Sequence, residues 1–269
     1  MNIKFIKIDY IINHKDLLIQ LTKREIALRH RGTKLGHLWS ILTPSLMLCL
    51  YLFVFGLIFG GKFGVLKNEN FFDFALALFV GLSLFNVISE SIGNGPTLVT
   101  SQPNFVKKVV FPLEIISVAK VLASMYFCLF SITLCILLIP FTHGQITLKL
   151  FYVPIILAPL FMISLGISWS LAALGVFFRD LNQTTNFTST LLMYGSAIVY
   201  SPTKLPEAIY KVLRYNPLLI IINSIRQILL WNVNINVYYI TYSYIFATFT
   251  MISGYYLFKR LQPYFAEVL

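Results

Sequence analysis

An all-α, polytopic membrane protein with six transmembrane helices is the fold this chain predicts, on three observations. Residues 39–60, 74–89, 121–148, 150–178, 181–203 and 237–258 contain no Asp, Glu, Lys or Arg. A helix rises 1.5 Å per residue, so about 20 apolar residues cross a hydrocarbon core of about 30 Å. Most of these runs meet that length, and 74–89 falls slightly short. Second, 58% of the 269 residues are hydrophobic and 12% are charged, with a mean hydropathy of +0.79. A soluble core can bury one or two such helices but not six in a chain of this size. Third, the net charge of +11 is unevenly placed. Lys4, Lys7, Lys15, Lys23, Arg24, Arg29, Arg31 and Lys34 precede the first run, and Lys107, Lys108, Arg179, Lys259 and Arg260 fall on the same predicted side. The positive-inside rule puts both termini in the cytoplasm. That pattern explains the basic charge without nucleic acid.

The first 35 residues form a cytoplasmic interface segment. Asn13 followed by Asp16 predicts a helix running to about Arg29, with Leu17, Leu18, Leu21 and Leu28 on one face. Arg24 and Glu25 interrupt that stripe. Asp9, Lys15 and Asp16 break any apolar core, so the segment does not read as a cleaved signal peptide. A basic, half-apolar helix before a span lies in the headgroup layer. Residues 36–269 form the transmembrane domain. Trp39 opens its first span as an interfacial aromatic, and Pro44 lies within the first turns. After the second span Pro96, Pro103 and Pro112 bracket a short basic segment, 104–111, too short and too charged to cross. Spans four and five are joined at Phe177, Phe178, Arg179 and Asp180. Beyond span five, residues 205–214 predict a short helix, broken by Asn216 and Pro217. Residues 218–231 are mostly apolar but interrupted by Asn223, Arg226 and Gln227. Fourteen residues reach about 21 Å, so this segment dips into the membrane rather than crossing it.

Chemistry-bearing motifs are scarce. Gly56 to Phe63 fits G-x-x-x-x-G-K, but Phe63 stands where Mg²⁺ needs a hydroxyl, and no strand precedes it. The chain is therefore not expected to hydrolyse ATP. His14, His30, His37 and His143 lack metal-ligand spacing, so no metal and no cofactor is expected on this chain. Cys49, Cys128 and Cys135 lie inside spans and read as small apolar residues. No Ser/His/Asp or Cys/His pairing can be assembled, so no catalytic residue is assigned. Glu90, Glu114 and Lys120 sit near helix ends, where long side chains can snorkel. Glu114 and Lys120 are too far apart to pair along one helix. Tyr51, Tyr194, Tyr200 and Trp231 are positioned to stack on sugar rings, although interfacial packing is the commoner reason for any one of them.

Arg29-His-Arg-Gly-Thr-Lys-Leu-Gly-His-Leu-Trp39, followed by Pro44-Ser-Leu-Met47 and Tyr51-Leu-Phe-Val-Phe-Gly56, resembles the opening of the membrane subunit of ABC-2 type polysaccharide exporters, which export O-antigen, teichoic acids and capsules. Val106-Lys-Lys-Val-Val-Phe-Pro-Leu-Glu114, Phe177-Phe-Arg-Asp180, Ser201-Pro202 and Asn216-Pro-Leu218 with Arg226 extend the resemblance over nearly the whole chain. It implies a bacterial inner-membrane permease that pairs with a second copy of itself and with two copies of an ATP-binding subunit, where ATP and Mg²⁺ reside. It implies a coupling helix at about 103–111, with Lys107 and Lys108 facing the ATPase and Phe105, Val109 and Phe111 inserting. External gate helices would occupy about 205–231, with Tyr51, Tyr194, Tyr200, Asn216, Arg226 and Trp231 along the glycan path. Arg29, Arg31 and Lys34 become contacts for the diphosphate of an undecaprenyl-linked polysaccharide, O-antigen foremost, since phosphate suits Arg forks and Lys point charges. A drug or small-lipid exporter of the same type, or a membrane-bound transferase, is the alternative.

Overall fold

The computed structural model describes residues 14–65, 69–107, 111–142, 144–145, 147–201 and 205–269, with backbone alone for His37 and Lys107. Every regular element among these residues is helical. Helix α1 (Lys15–Leu28) packs against α5 (Glu114–Leu138). Asn13 lies outside the described residues; His14 takes the N-cap position and makes no side-chain cap bond. The connection to α2 (Trp39–Tyr51) turns at Gly32 and Gly36, whose φ values of 82° and 50° are left-handed. Helix α2 contains Pro44 and continues as a π-helix, Leu52–Ile58.

Helix α3 (Phe71–Asn94) is longer than the apolar run at 74–89 that announces it. Asn70 and Asp73 form a capping box: the Asp73 N–H donates to Asn70 Oδ1 at 2.8 Å, and the Asn70 N–H donates to Asp73 Oδ2 at 2.9 Å. Two otherwise orphaned amides are thereby paired, and the helix starts three residues earlier than hydropathy alone suggests. The expected short second span is thus corrected: 24 residues cover about 36 Å. Over its most apolar stretch α3 is 78% buried, whereas α2 is 11% buried. Helix α3 is the axis of the bundle, and α2 lies on its rim.

Helix α4 (Pro103–Lys107) is a single turn. Helix α5 closes with a 3-10 turn, Ile139–Phe141, and another, Leu148–Tyr152, leads into α6 (Val153–Phe177). Next come α7 (Leu181–Gly195), α8 (Glu207–Leu213) and α9 (Pro217–Arg226), the last extended as a π-helix, Gln227–Trp231. Helix α10 (Val237–Leu261) and the short α11 (Phe265–Val268) complete the chain. Helices α6 and α10 approach most closely. A methyl on Gly166 would overlap the Thr250 carbonyl, and one on Gly254 would overlap the Gly166 carbonyl. Such backbone contact is how membrane helices gain dispersion energy where lipid offers no hydrophobic drive.

Four helical stretches among the described residues are long and apolar enough to cross a membrane: Trp39–Ile58, Phe71–Thr97, Glu114–Phe141 and Leu148–Phe177. Helix α7 ends after 15 residues, shortly before left-handed Ala197 at φ 48°. Helix α10 has 25 residues, but its Tyr, Thr and Ser content lowers its hydropathy below that of the four. The segment from Pro217 to Trp231 is a shorter apolar helix, and nearly all of it is buried. One large core surrounds α3, with Leu76, Leu84, Ile132, Leu160, Ile225 and Leu229 in it. A smaller one joins Leu113, Val121, Trp169, Phe258 and Phe265.

Candidate functional site

Arg29 caps the C-terminus of α1, and its guanidinium lies 4.1 Å over the Phe127 ring of α5. It pairs with Glu90 of α3, whose second oxygen accepts from the Ser124 hydroxyl. His30 Nε2 is 2.9 Å from Ser40 Oγ, which fixes the turn into α2. Arg31 and Lys34 stand exposed on that turn. Arg29 is thus brought into a built site, and the other two basic candidates remain at its rim.

The site is a cleft of about 410 Å³ between α2, α3 and α5. Arg29, His30 and Thr33 form one end, and Tyr51, Phe79 and Ser83 line it deeper in the bundle. From Trp39 to Tyr51 the wall of α2 extends about 18 Å. Aromatic faces (Trp39, Tyr51, Phe127) alternate with hydroxyl and amide groups (Ser40, Thr43, Asn86, Ser131). Such a lining suits ligands that present both CH faces and hydroxyls.

Two more ion pairs join helices at this basic end. Lys120 Nζ donates to Glu25 Oε2 at 2.9 Å and Lys259 Nζ to Glu114 Oε1 at 2.6 Å. Glu25, which interrupts the apolar stripe of α1, is therefore what pins α1 to α5. Glu114 is 2% exposed, so it does not snorkel as its end position suggests. Its pairing with α10 through Oε1 offsets part of the lost hydration, and Oε2 is buried with no hydrogen-bond partner among the described residues.

The proposed gate residues sit apart, around α9. Arg226 is 0% exposed. Its Nε donates to the Ala77 carbonyl at 2.8 Å and its Nη2 to the Ile198 carbonyl at 2.8 Å, with the guanidinium 4.5 Å over the Phe63 ring. Asn216 caps α9 through Leu218 N–H and donates to the Gly195 carbonyl at 2.8 Å. Trp231 is buried against Phe63. Tyr194 is exposed, and its carbonyl accepts from the Tyr200 hydroxyl. Tyr51 alone of the six glycan-path candidates lines the cleft.

In the coupling segment, α4 carries Phe105, half-buried and stacked on Phe111 with ring centroids 4.5 Å apart. Both rings pack against the smaller core. Lys107 closes α4; Lys108 and Val109 lie outside the described residues.

Asn86 and Phe127 line the cleft and Glu90 pairs with Arg29 at its end, and none of the three was placed in a site from the sequence. Glu90 and Arg29 are 61 residues apart, and no spacing rule spans that distance.

Residues 16–230 match the ABC-2 type transporter family. The chain belongs to that family. It is similar to an O-antigen export system permease protein RfbA of Klebsiella pneumoniae, 28% identical over 256 residues, 94% of this chain and 95% of that protein. It is 27% identical over 219 residues to the RfbA permease of Myxococcus xanthus, 80% of each chain. The polysialic acid transport protein KpsM of Escherichia coli is 24% identical over 207 residues, 76% of this chain and 77% of that protein. This ABC-2 chain is a polytopic, all-α membrane protein, and its match begins within α1.

Proposed function

We propose that this chain is the membrane-spanning subunit of an ATP-driven exporter of lipid-linked polysaccharide, with an undecaprenyl-diphosphate-linked O-antigen as the substrate. Teichoic acid and capsule fall in the same substrate class. The observation that carries the reading is the cleft joining Arg29 to Tyr51, which offers a cation at one end and stacking and hydroxyl partners further in. A diphosphate and many hydroxyls cannot enter hydrocarbon unaided, so export needs such a path and an energy source. The family and its O-antigen export relatives support the same reading.

ATP and Mg²⁺ belong to two copies of a separate ATP-binding subunit, docked at about 103–111. Helices α7 and α10 complete six spans, with both termini on the cytoplasmic side of a bacterial inner membrane. A second copy of the chain covers α2 and α7. Helix α7 exposes Asn182, Gln183, Asn186, Thr188 and Thr190, an amide and hydroxyl surface unsuited to lipid. The gate at 205–231 yields at the opposite end.

Changing Arg29, Arg31 and Lys34 together to Gln tests the reading in a strain whose surface polysaccharide depends on this chain. Membrane insertion should persist and surface polysaccharide should be lost. Unaltered export would remove the lipid-diphosphate role.

A further inference from the structure

Glu90 occupies a boundary. Through Arg29 it faces the α2–α3–α5 cleft. On its other side it lines a separate groove of about 430 Å³ between α3 and α7, with Ser89, Asn186, Ser189 and Thr190. The Arg29–Glu90 pair therefore stands between an aromatic cleft and a hydroxyl-lined groove. Its side chains are 36% and 27% exposed, so both partners are open to exchange, whereas the carboxylate of the Glu114–Lys259 pair is nearly buried. Of the nearby charges, Lys120 and Glu25 are committed to each other, and Arg31 and Lys34 stand exposed at the rim.

We propose that Glu90 is a specificity-determining counter-ion: it holds Arg29 while the cleft is empty and yields it to the diphosphate of the incoming prenyl-linked glycan. This rests on the exporter reading above. Part-exposed carboxylate–guanidinium pairs are weak, whereas a diphosphate presents more charge and more acceptor oxygens to the same fork. The carboxylate thus sets a threshold. A ligand with one negative charge gains little by replacing Glu90, and a diphosphate gains more. Once Arg29 turns to phosphate, Glu90 keeps the Ser124 hydroxyl. The partition opens, and sugar hydroxyls can reach the Asn186–Thr190 groove.

The prediction has an unusual sign, because removing a charged residue from the site should tighten binding. The complete transporter, permease with its ATP-binding partner, is reconstituted in phosphatidylcholine nanodiscs and titrated with farnesyl diphosphate. Inorganic pyrophosphate and phosphatidylglycerol are the comparison ligands. Glu90→Gln should strengthen farnesyl diphosphate binding about tenfold and Arg29→Gln should weaken it about tenfold, the scale of one charge-assisted contact. In the Arg29→Gln background, Glu90→Gln should change nothing. Glu90→Asp, which keeps the charge and shortens the reach, should fall between Glu90→Gln and the unaltered protein, and is read instead if Glu90→Gln does not assemble. Weaker or unchanged binding on changing Glu90, while Arg29→Gln still weakens it, overturns the counter-ion role and leaves the exporter reading intact. No change with Arg29→Gln removes the diphosphate site itself. Equal gains for pyrophosphate or phosphatidylglycerol would identify a general anion or anionic-lipid site and overturn the prenyl-diphosphate assignment.

Discussion

The two ends of the molecule hold their cations in opposite ways. At the basic end Arg29, Lys120 and Lys259 each meet a carboxylate from a different helix. Around α9 the partners of Arg226 among the described residues are backbone carbonyls of α3 and of the chain leaving α7, together with the Phe63 ring. Carboxylate pairs can be exchanged for another anion or screened by salt. A guanidinium enclosed by carbonyls cannot, because those carbonyls are fixed in the backbone and Arg226 is fully shut off from solvent ions. The basic end is thus built to be rearranged by a charged ligand. The Arg226 junction ties α3, α7 and α9 into one unit, so any opening of the proposed gate moves that unit or breaks it.

Arg226 gives the largest expected effect. Replacing it with Gln removes the Ile198 carbonyl's donor and the Ala77 carbonyl's second donor in a dry site and should cost about 2–3 kcal/mol of stability, read as a lower thermal midpoint in detergent. Gly81→Ala should act in the same direction, because a methyl there would lie 2.5 Å from Arg226 Nη2. If Arg226→Gln instead left stability unchanged and altered export alone, the residue would belong to the path and the contrast between the ends would fail.

Lys259→Gln comes next. It strands the nearly buried Glu114 carboxylate and should cost about 1–2 kcal/mol, less than Arg226 because the Lys259 side chain is 36% exposed. Glu25→Gln should be the smallest, under about 1 kcal/mol. Its signature is local: faster amide exchange in α1 without a shift elsewhere, and a difference from the unaltered protein that shrinks as salt rises. An effect of Glu25→Gln as large as that of Arg226→Gln would make α1 part of the core rather than an attached element.

Hydropathy made the helical class and the main spans legible, because hydrocarbon forces backbone amides to pair within each segment. That residues 217–231 form a short helix and not a full span was legible from the segment's length and from the polar residues inside it. The start of α3 was not, since the deciding interaction is the Asn70–Asp73 box and a buried Asp counts against a span in any hydropathy sum. The site was partly legible. Arg29 and Tyr51 were recognisable by residue type and resemblance, but their sharing of one cleft depends on how α2 lies across α3. Arg226 was placed among the glycan-path residues by the resemblance of Asn216-Pro-Leu218 with Arg226 to the gate region of polysaccharide exporters. The carbonyls that hold it come from Ala77 inside α3 and from Ile198, and left-handed Ala197 lies just beyond the end of the preceding helix. That backbone detail has no side-chain signature.

The measurement that bears most directly on the account is the composition of the complex taken from its native membrane through a tag on this chain. An ATP-binding subunit present in equal copy number is the predicted result. A chain recovered without any ATP-binding partner would contradict the exporter assignment.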